Sequence, residues 1–213
     1  MTKQKAYHHG DLKASLLAVG RRQLEAGGVT FVSLRAAAKE IGVTHAAPAR
    51  HFSSAVEFHT HLAINGYAEL ALALRSAAAS KDPAATPLNC LCKAYIEFAV
   101  RNPNLYRLMC SGDLVDYDSC EIKAESEACL TAILTCTVPD HLDVNERDVA
   151  KAEAVRSFLH GHALLRIDNL FLAPSSNDTQ DYLLSCLDAL SVLQTESQEV
   201  SASLSDSADY AEV

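Results

Sequence analysis

The sequence predicts an all-α protein: a small three-helix head, carried through a long fourth helix into a larger helical body. Three observations predict it. Alanine and leucine dominate the 213 residues, and both favour helix. Apolar residues recur at helical spacing along nearly every segment. The 8 glycines and 6 prolines are few, and most fall at the ends of those segments, where they stop helices.

In the first helix, Leu12, Leu16, Leu17, Val19 and Leu24 form an apolar stripe that Gly27-Gly28 terminates. Val29 to Val32 read as a short extended link. Ser33 is a candidate N-cap for a second helix, Leu34 to Ile41, which Gly42 ends. Thr44 is a candidate cap for a third, short helix reaching about His51. Pro48 is then its fourth residue, where the missing N–H has no intrahelical partner to lose. Ser53 or Ser54 caps a long fourth helix running to about Ala79.

Lys81 to Pro87 is a polar break with two prolines. Helices follow from about Leu88 to Arg101, Pro103 to Cys110, Ser119 to Thr137 and Asn145 to Leu172. A link over Ala173–Asn177 leads to a last helix from about Thr179 to Thr195. The tail beyond Gln194 holds five acids, five serines and no basic residue, a composition that predicts disorder.

The net charge of −9 is unevenly spread. Residues 1–60 carry eight Lys/Arg and four Asp/Glu; the remainder carries ten and 23. A basic head on an acidic body suits a partner that is itself an anion, such as nucleic acid. No stretch approaches the roughly 18 apolar residues of a membrane span, and the N-terminus lacks a secretory h-region. A cytoplasmic chain with no membrane partner is expected. All seven cysteines (Cys90, Cys92, Cys110, Cys120, Cys129, Cys136 and Cys186) lie in the acidic part. An odd number without an export signal argues against a disulfide framework. They read first as small apolar residues, with a thiol sensor or metal site as the alternative. His160 and His162 are two apart on a helix and cannot chelate one ion together. No metal or cofactor is expected.

The informative stretch runs from Ser33 to Phe52. Ala38 is small where two helices must cross closely. Gly42 supplies a positive φ for a tight turn, Ile41 and Val43 pack the pair, and a capped short helix follows at once. That is the layout of a helix-turn-helix, whose second helix enters the major groove of DNA by its N-terminal end. An ordinary helical hairpin has the same spacing, and spacing alone leaves both open.

The wording of the sequence goes further. Residues 7–70 resemble the DNA-binding domain of the TetR family. Tyr7-His8-His9-Gly10-Asp11-Leu12-Lys13 and Thr44-His45-Ala46-Ala47-Pro48-Ala49-Arg50-His51-Phe52 resemble the branch whose C-terminal domain bears a Trp-His-Gly signature. Asn102-Pro103-Asn104-Leu105-Tyr106-Arg107-Leu108-Met109 and Phe158-Leu159-His160-Gly161-His162-Ala163-Leu164-Leu165 resemble two further segments of that branch. The resemblance spans about residues 7–172. It implies an N-terminal helix-turn-helix DNA-binding domain (residues 7–70), a C-terminal effector-binding and dimerisation domain (80–195) and, beyond it, the acidic tail (196–213). Three positions depart from it. Ala49 stands where the family usually has a tyrosine that touches a phosphate, and Ala55 near its phosphate-binding lysine. Arg156 takes the place of the signature tryptophan.

The roles implied are those of a homodimeric transcriptional regulator, a repressor, released from a double-stranded operator by a small, apolar effector. Thr44, His45, Ala46 and Ala47 sit where base edges are read, the alanines suited to thymine methyl groups and His45 to a hydrogen bond. Lys13, Ser33, Arg35 and Arg50 suit phosphates, while His51 and Phe52 suit packing. In the family, helices corresponding to Ala55–Thr137 enclose a pocket, for which Tyr95, Phe98, Tyr106, Met109 and Phe158 are the candidate lining. The last two helices resemble the family's dimer interface. Val155, Phe158, Leu159, His162 and Leu165 share one face, opposite Leu183, Leu187, Leu190 and Leu193, and Gly161 allows close approach. The alternative is a TetR-like helical sensor or interaction protein with weak or lost DNA binding, as Ala49 and Ala55 suggest. An enzyme is not expected, because the chain has no Gly-rich phosphate loop, no H-E-x-x-H and no G-x-S-x-G.

Overall fold

The computed structural model of the chain describes residues 12–44, 46–80, 85–138, 144–170 and 185. Local hydrogen-bond chemistry sets the start of most of its helices. Ser33 Oγ accepts from the Ala36 N–H and opens α2 (Leu34–Ile41). Ser54 Oγ accepts from the Glu57 N–H at 3.0 Å and opens α3 (Ala55–Ala78). Thr86 does the same for α4 (Pro87–Arg101), where Pro87 takes the first turn. Asn145 and Asp148 form a reciprocal capping box at the head of α7 (Glu146–Ile167). Each cap satisfies donors that a helix terminus leaves unpaired. The other helices are α1 (Leu12–Gly27), α5 (Pro103–Met109) and α6 (Cys120–Thr137). Among the described residues there is no strand, as the sequence predicts.

Two short segments differ from the sequence expectation. Val29–Phe31 is a 3-10 turn, not an extended link, closed by the Val32 N–H on the Val29 carbonyl. The expected third helix is a 3-10 turn over Pro48–Arg50, with Pro48 as its first residue. Pro48 has no N–H, so the bond to the Thr44 carbonyl that an α-helix would need there cannot form. Short turns replace the helix: the Ala47 N–H bonds the Thr44 carbonyl, the Arg50 N–H the Ala47 carbonyl and the His51 N–H the Pro48 carbonyl. In addition, α7 ends at Ile167, short of the expected Leu172.

The long α3 is the spine. At about 1.5 Å per residue its 24 residues span roughly 36 Å, enough to belong to both the head and the body. Its first turns pack against α1 through Phe58, which is 1% exposed. Gly20 makes this crossing possible, since a Cβ there would lie 2.5 Å from Phe58 Cζ. Phe52 closes the head edge-to-face on Phe58 at 4.9 Å between ring centres. Ala37 and Ala38 of α2 are fully buried, in keeping with a close helix crossing at Ala38.

Farther along, α3 packs against α4, α5 and α6, and α7 lies against α4 and α6. Leu70, Leu74, Leu91, Leu105, Ile133 and Leu159 fill the core between them, each at most 2% exposed. Arg21 ties α1 to this body. Its guanidinium reaches Glu69 on α3 at 2.9 Å and Asn102, the residue between α4 and α5, at 2.8 Å. Among the described residues, no helix is long and apolar enough to cross a membrane. The expected last helix, with Leu183, Leu187, Leu190 and Leu193, and the acidic tail lie outside the described residues.

Candidate functional site

The first candidate site follows from the α2 turn. Gly42 adopts φ 80°, ψ 25°, and its N–H bonds back to the end of α2. That left-handed residue reverses the chain sharply, so Val43 and Thr44 leave α2 at once and enter the Pro48 turn. Pro48 is buried and anchors the turn. The residues around it point outward: Thr44, Ala46, Ala49 and Arg50 are exposed, and Ala47 is half-buried. His45 lies outside the described residues.

The expected phosphate partners surround this turn. Arg35 is exposed on α2. Ser33 uses its oxygen as the α2 cap while its N–H donates to Gln23 Oε1 at 2.8 Å, which leaves the hydroxyl proton to donate outward. Lys13 is half-buried, its ammonium 5.9 Å from the centre of the Phe52 ring. Ser53, Ser54 and Ala55 at the head of α3 are exposed. Hydrogen bonds from the Ser53 hydroxyl and N–H hold the Glu57 carboxyl below the usual range.

The second candidate site is a cavity of about 270 Å³ enclosed by α3 to α7. Of the five expected lining residues, Tyr95, Tyr106 and Met109 border it. Phe98 is buried elsewhere in the core, and Phe158 stacks on His162 at 5.9 Å on α7. Sequence reasoning missed Tyr67 on α3, Tyr117 beyond α5, and Arg156 with His160 on α7. The last pair stands four apart, and that spacing was the available signal, because it puts both side chains on one helix face.

The cavity is less apolar than the sequence suggests, and its polar groups are ordered. The Tyr95 and Tyr106 hydroxyls lie 2.9 Å apart, and Tyr106 Oη lies 2.8 Å from His160 Nδ1. Burial, then the Arg156 charge, lowers the His160 pKa, so the ring is neutral at pH 7. In the tautomer with its proton on Nε2, Tyr106 donates to Nδ1 and accepts from Tyr95. Tyr67 and Tyr117 both donate to the Met109 carbonyl. Burial raises the pKa of all four phenols, that of Tyr95 to about 12, so they remain neutral donors. Burial likewise pushes the Cys110 thiol up to about 11, which disfavours the thiolate that a redox sensor needs.

Of the other described cysteines, Cys92 and Cys129 are buried, Cys90 and Cys136 half-buried and Cys120 exposed, all as free thiols, and Cys186 lies outside the described residues. Among the described residues, no group of three or more His, Cys, Asp or Glu is placed to hold a metal ion.

On α7, the expected interface residues divide between two faces. Leu159 and His162 are turned into the protomer, at 0% and 4% exposure. Val155 is half-buried, and Gly161 and Leu165 are exposed on the outward side. A Cβ on Gly161 would meet nothing within 4 Å among the described residues.

A model of the family described as tetracyclin repressor-like, C-terminal domain, matches residues 88–190. The match takes in four of the five helices around the cavity. Among solved structures, a protein of unknown function from Rhodococcus sp. RHA1 superposes with a TM-score of 0.71. It is 27% identical, over 87% of this chain and 96% of its own. SCO4313, described as a candidate regulatory protein, has a TM-score of 0.65 at 22% identity, over 82% of this chain and 93% of its own, and shows the shared fold. A comparison with curated proteins returns no match. The fold superposes along most of its length on the Rhodococcus protein, and residues 88–190 match a tetracyclin repressor-like C-terminal domain.

Proposed function

We infer that the chain is a homodimeric, sequence-specific DNA-binding transcriptional regulator, a repressor that a small organic effector releases from its operator. One observation carries the reading: the left-handed Gly42 turn and the buried Pro48 hold Thr44, Ala46 and Arg50 outward, ahead of a family body with an enclosed cavity. Thr44, His45, Ala46 and Ala47 read base edges, whereas Lys13, Ser33, Arg35 and Arg50 hold the backbone. The domain limits are residues 7–70 for DNA and 80–195 for effector and dimer. The outward face of α7, with Gly161 and Leu165, and the segment carrying Leu183, Leu187 and Leu190 form the isologous contact.

Release works through the contact between the body and α1. Effector in the cavity bears on Tyr106 and Met109 of α5, and the α4–α5 junction is bonded to α1 through Asn102 and Arg21. A shift there changes the spacing of the two recognition turns away from the one-turn separation of about 34–36 Å that successive major grooves require.

A second reading, a helical sensor with weak or lost DNA binding, draws on Ala49 and Ala55. Both are exposed, and neither side chain offers a donor to a phosphate. A salt-titrated binding series on the DNA upstream of the gene and on scrambled duplex separates the two. The first reading expects operator preference in the wild type. Arg50→Ala should weaken both duplexes by similar factors and flatten the log K versus log salt slope by about 0.9; Ala55→Lys should steepen it by about as much. Equal, weak binding to both duplexes by wild type, with no gain in Ala55→Lys, would favour the sensor.

A further inference from the structure

Which molecule the cavity admits follows from which of its donors are already committed. The Tyr67 and Tyr117 protons go to the Met109 carbonyl, and the Tyr95 and Tyr106 hydroxyls bond each other and His160. These phenols form the wall and offer a ligand chiefly ring faces and acceptor oxygens. Arg156 is the one charged side chain among the described lining residues. Its Nε is held by Glu153 Oε2 at 2.6 Å, and the guanidinium is half-exposed. No described residue bonds its terminal nitrogens, which leaves a planar, oriented fork at the cavity edge. Such a fork matches a carboxylate in two-point contact, and a neutral amide of the same shape cannot take both bonds as an acceptor.

Size sets the rest. At about 270 Å³ the cavity lies just below the roughly 300–1,000 Å³ range of drug-sized sites, so it suits a body of one or two rings. Met109, Leu70 and Ile133 supply apolar contact for that body, and Tyr95 and Tyr106 supply aromatic surface.

We propose that the cavity takes a small organic monocarboxylate, its anionic group on the terminal nitrogens of Arg156 and its ring among Tyr95, Tyr106 and Met109. The proposal rests on the reading of this cavity as the effector site and sharpens it from an apolar effector to an acid. It also gives a use to the arginine that stands in place of the family's signature tryptophan.

The test is calorimetry on the full-length protein without DNA. The probes are benzoate, phenylacetate, cyclohexanecarboxylate and 2-naphthoate, each beside its neutral amide. At least one acid should bind about tenfold or more tighter than its amide, the scale of a charge-assisted paired contact. Arg156→Gln should remove that preference by weakening the acid about tenfold while leaving the amide within about threefold; Arg156→Lys, which keeps the charge without the fork, should fall between them. Circular dichroism should show unchanged helicity in both variants, because the side chain is half-exposed. If no acid of the panel exceeds its amide by more than about threefold, or if Arg156→Gln keeps the preference, the proposal is overturned. Operator affinity with and without the acid is measured separately. An acid that binds through Arg156 but leaves DNA affinity unchanged overturns the effector role alone. Operator binding without acid discrimination overturns the carboxylate alone.

Discussion

Phe58→Ala lowers the unfolding free energy by about 3–5 kcal/mol, the cost of removing a fully buried aromatic side chain and leaving a cavity. Phe58 is 1% exposed and sits where three parts of the head meet. It faces Gly20 of α1, stacks edge-to-face on Phe52 beyond the Pro48 turn, and belongs to the first turns of α3. Its loss therefore loosens the attachment of the turn to the spine as well as the core itself. Urea titration followed by circular dichroism reads the effect as a lower midpoint with a similar slope. A loss below about 1 kcal/mol would mean that the head does not depend on this contact.

On the proposed dimer contact, Gly161→Arg should give a monomer and lower operator affinity by about a hundredfold or more, because two linked turns bind with an avidity that one cannot supply. Among the described residues, nothing lies within 4 Å of a Cβ built on Gly161. The first side-chain carbon therefore meets no described neighbour, and the body should fold. Across a close helix contact the same side chain has no space. Sedimentation should give the chain mass of 22.9 kDa with unchanged helicity. A variant that stays dimeric would place the interface elsewhere on the surface.

What the sequence made legible is what short-range chemistry decides. Ser33, Gly42 and Ser54 mark helix ends through their own hydrogen bonds and φ values, and each works at its expected place. The two 3-10 turns were misjudged for reasons equally local. Pro48 opens a 3-10 turn instead of sitting within a helix, and the chain after Gly28 closes through Val29 and Val32.

The cavity was half legible. Tyr95, Tyr106 and Met109 lie on the buried faces of α4 and α5, which apolar periodicity marks. Tyr67 was hidden inside a 24-residue helix that buries a different partner at every turn. Arg156 and His160 were hidden because periodicity reports a face without reporting what lies against it. The same limit applies to α7 as a whole: its apolar stripe divides between the protomer interior, at Leu159 and His162, and the outward side, at Leu165.

The most direct test of the regulator reading is the mass of the protein–DNA complex in solution. The chain is sedimented with a duplex of the DNA upstream of its gene, at a salt concentration where scrambled duplex stays free. The account predicts an operator complex holding two chains of 22.9 kDa each, or a multiple of two. It also predicts that the cavity ligand dissolves this complex and leaves the protein dimeric. A single chain per site, or no complex at any salt concentration with the fold and dimer intact, would contradict it.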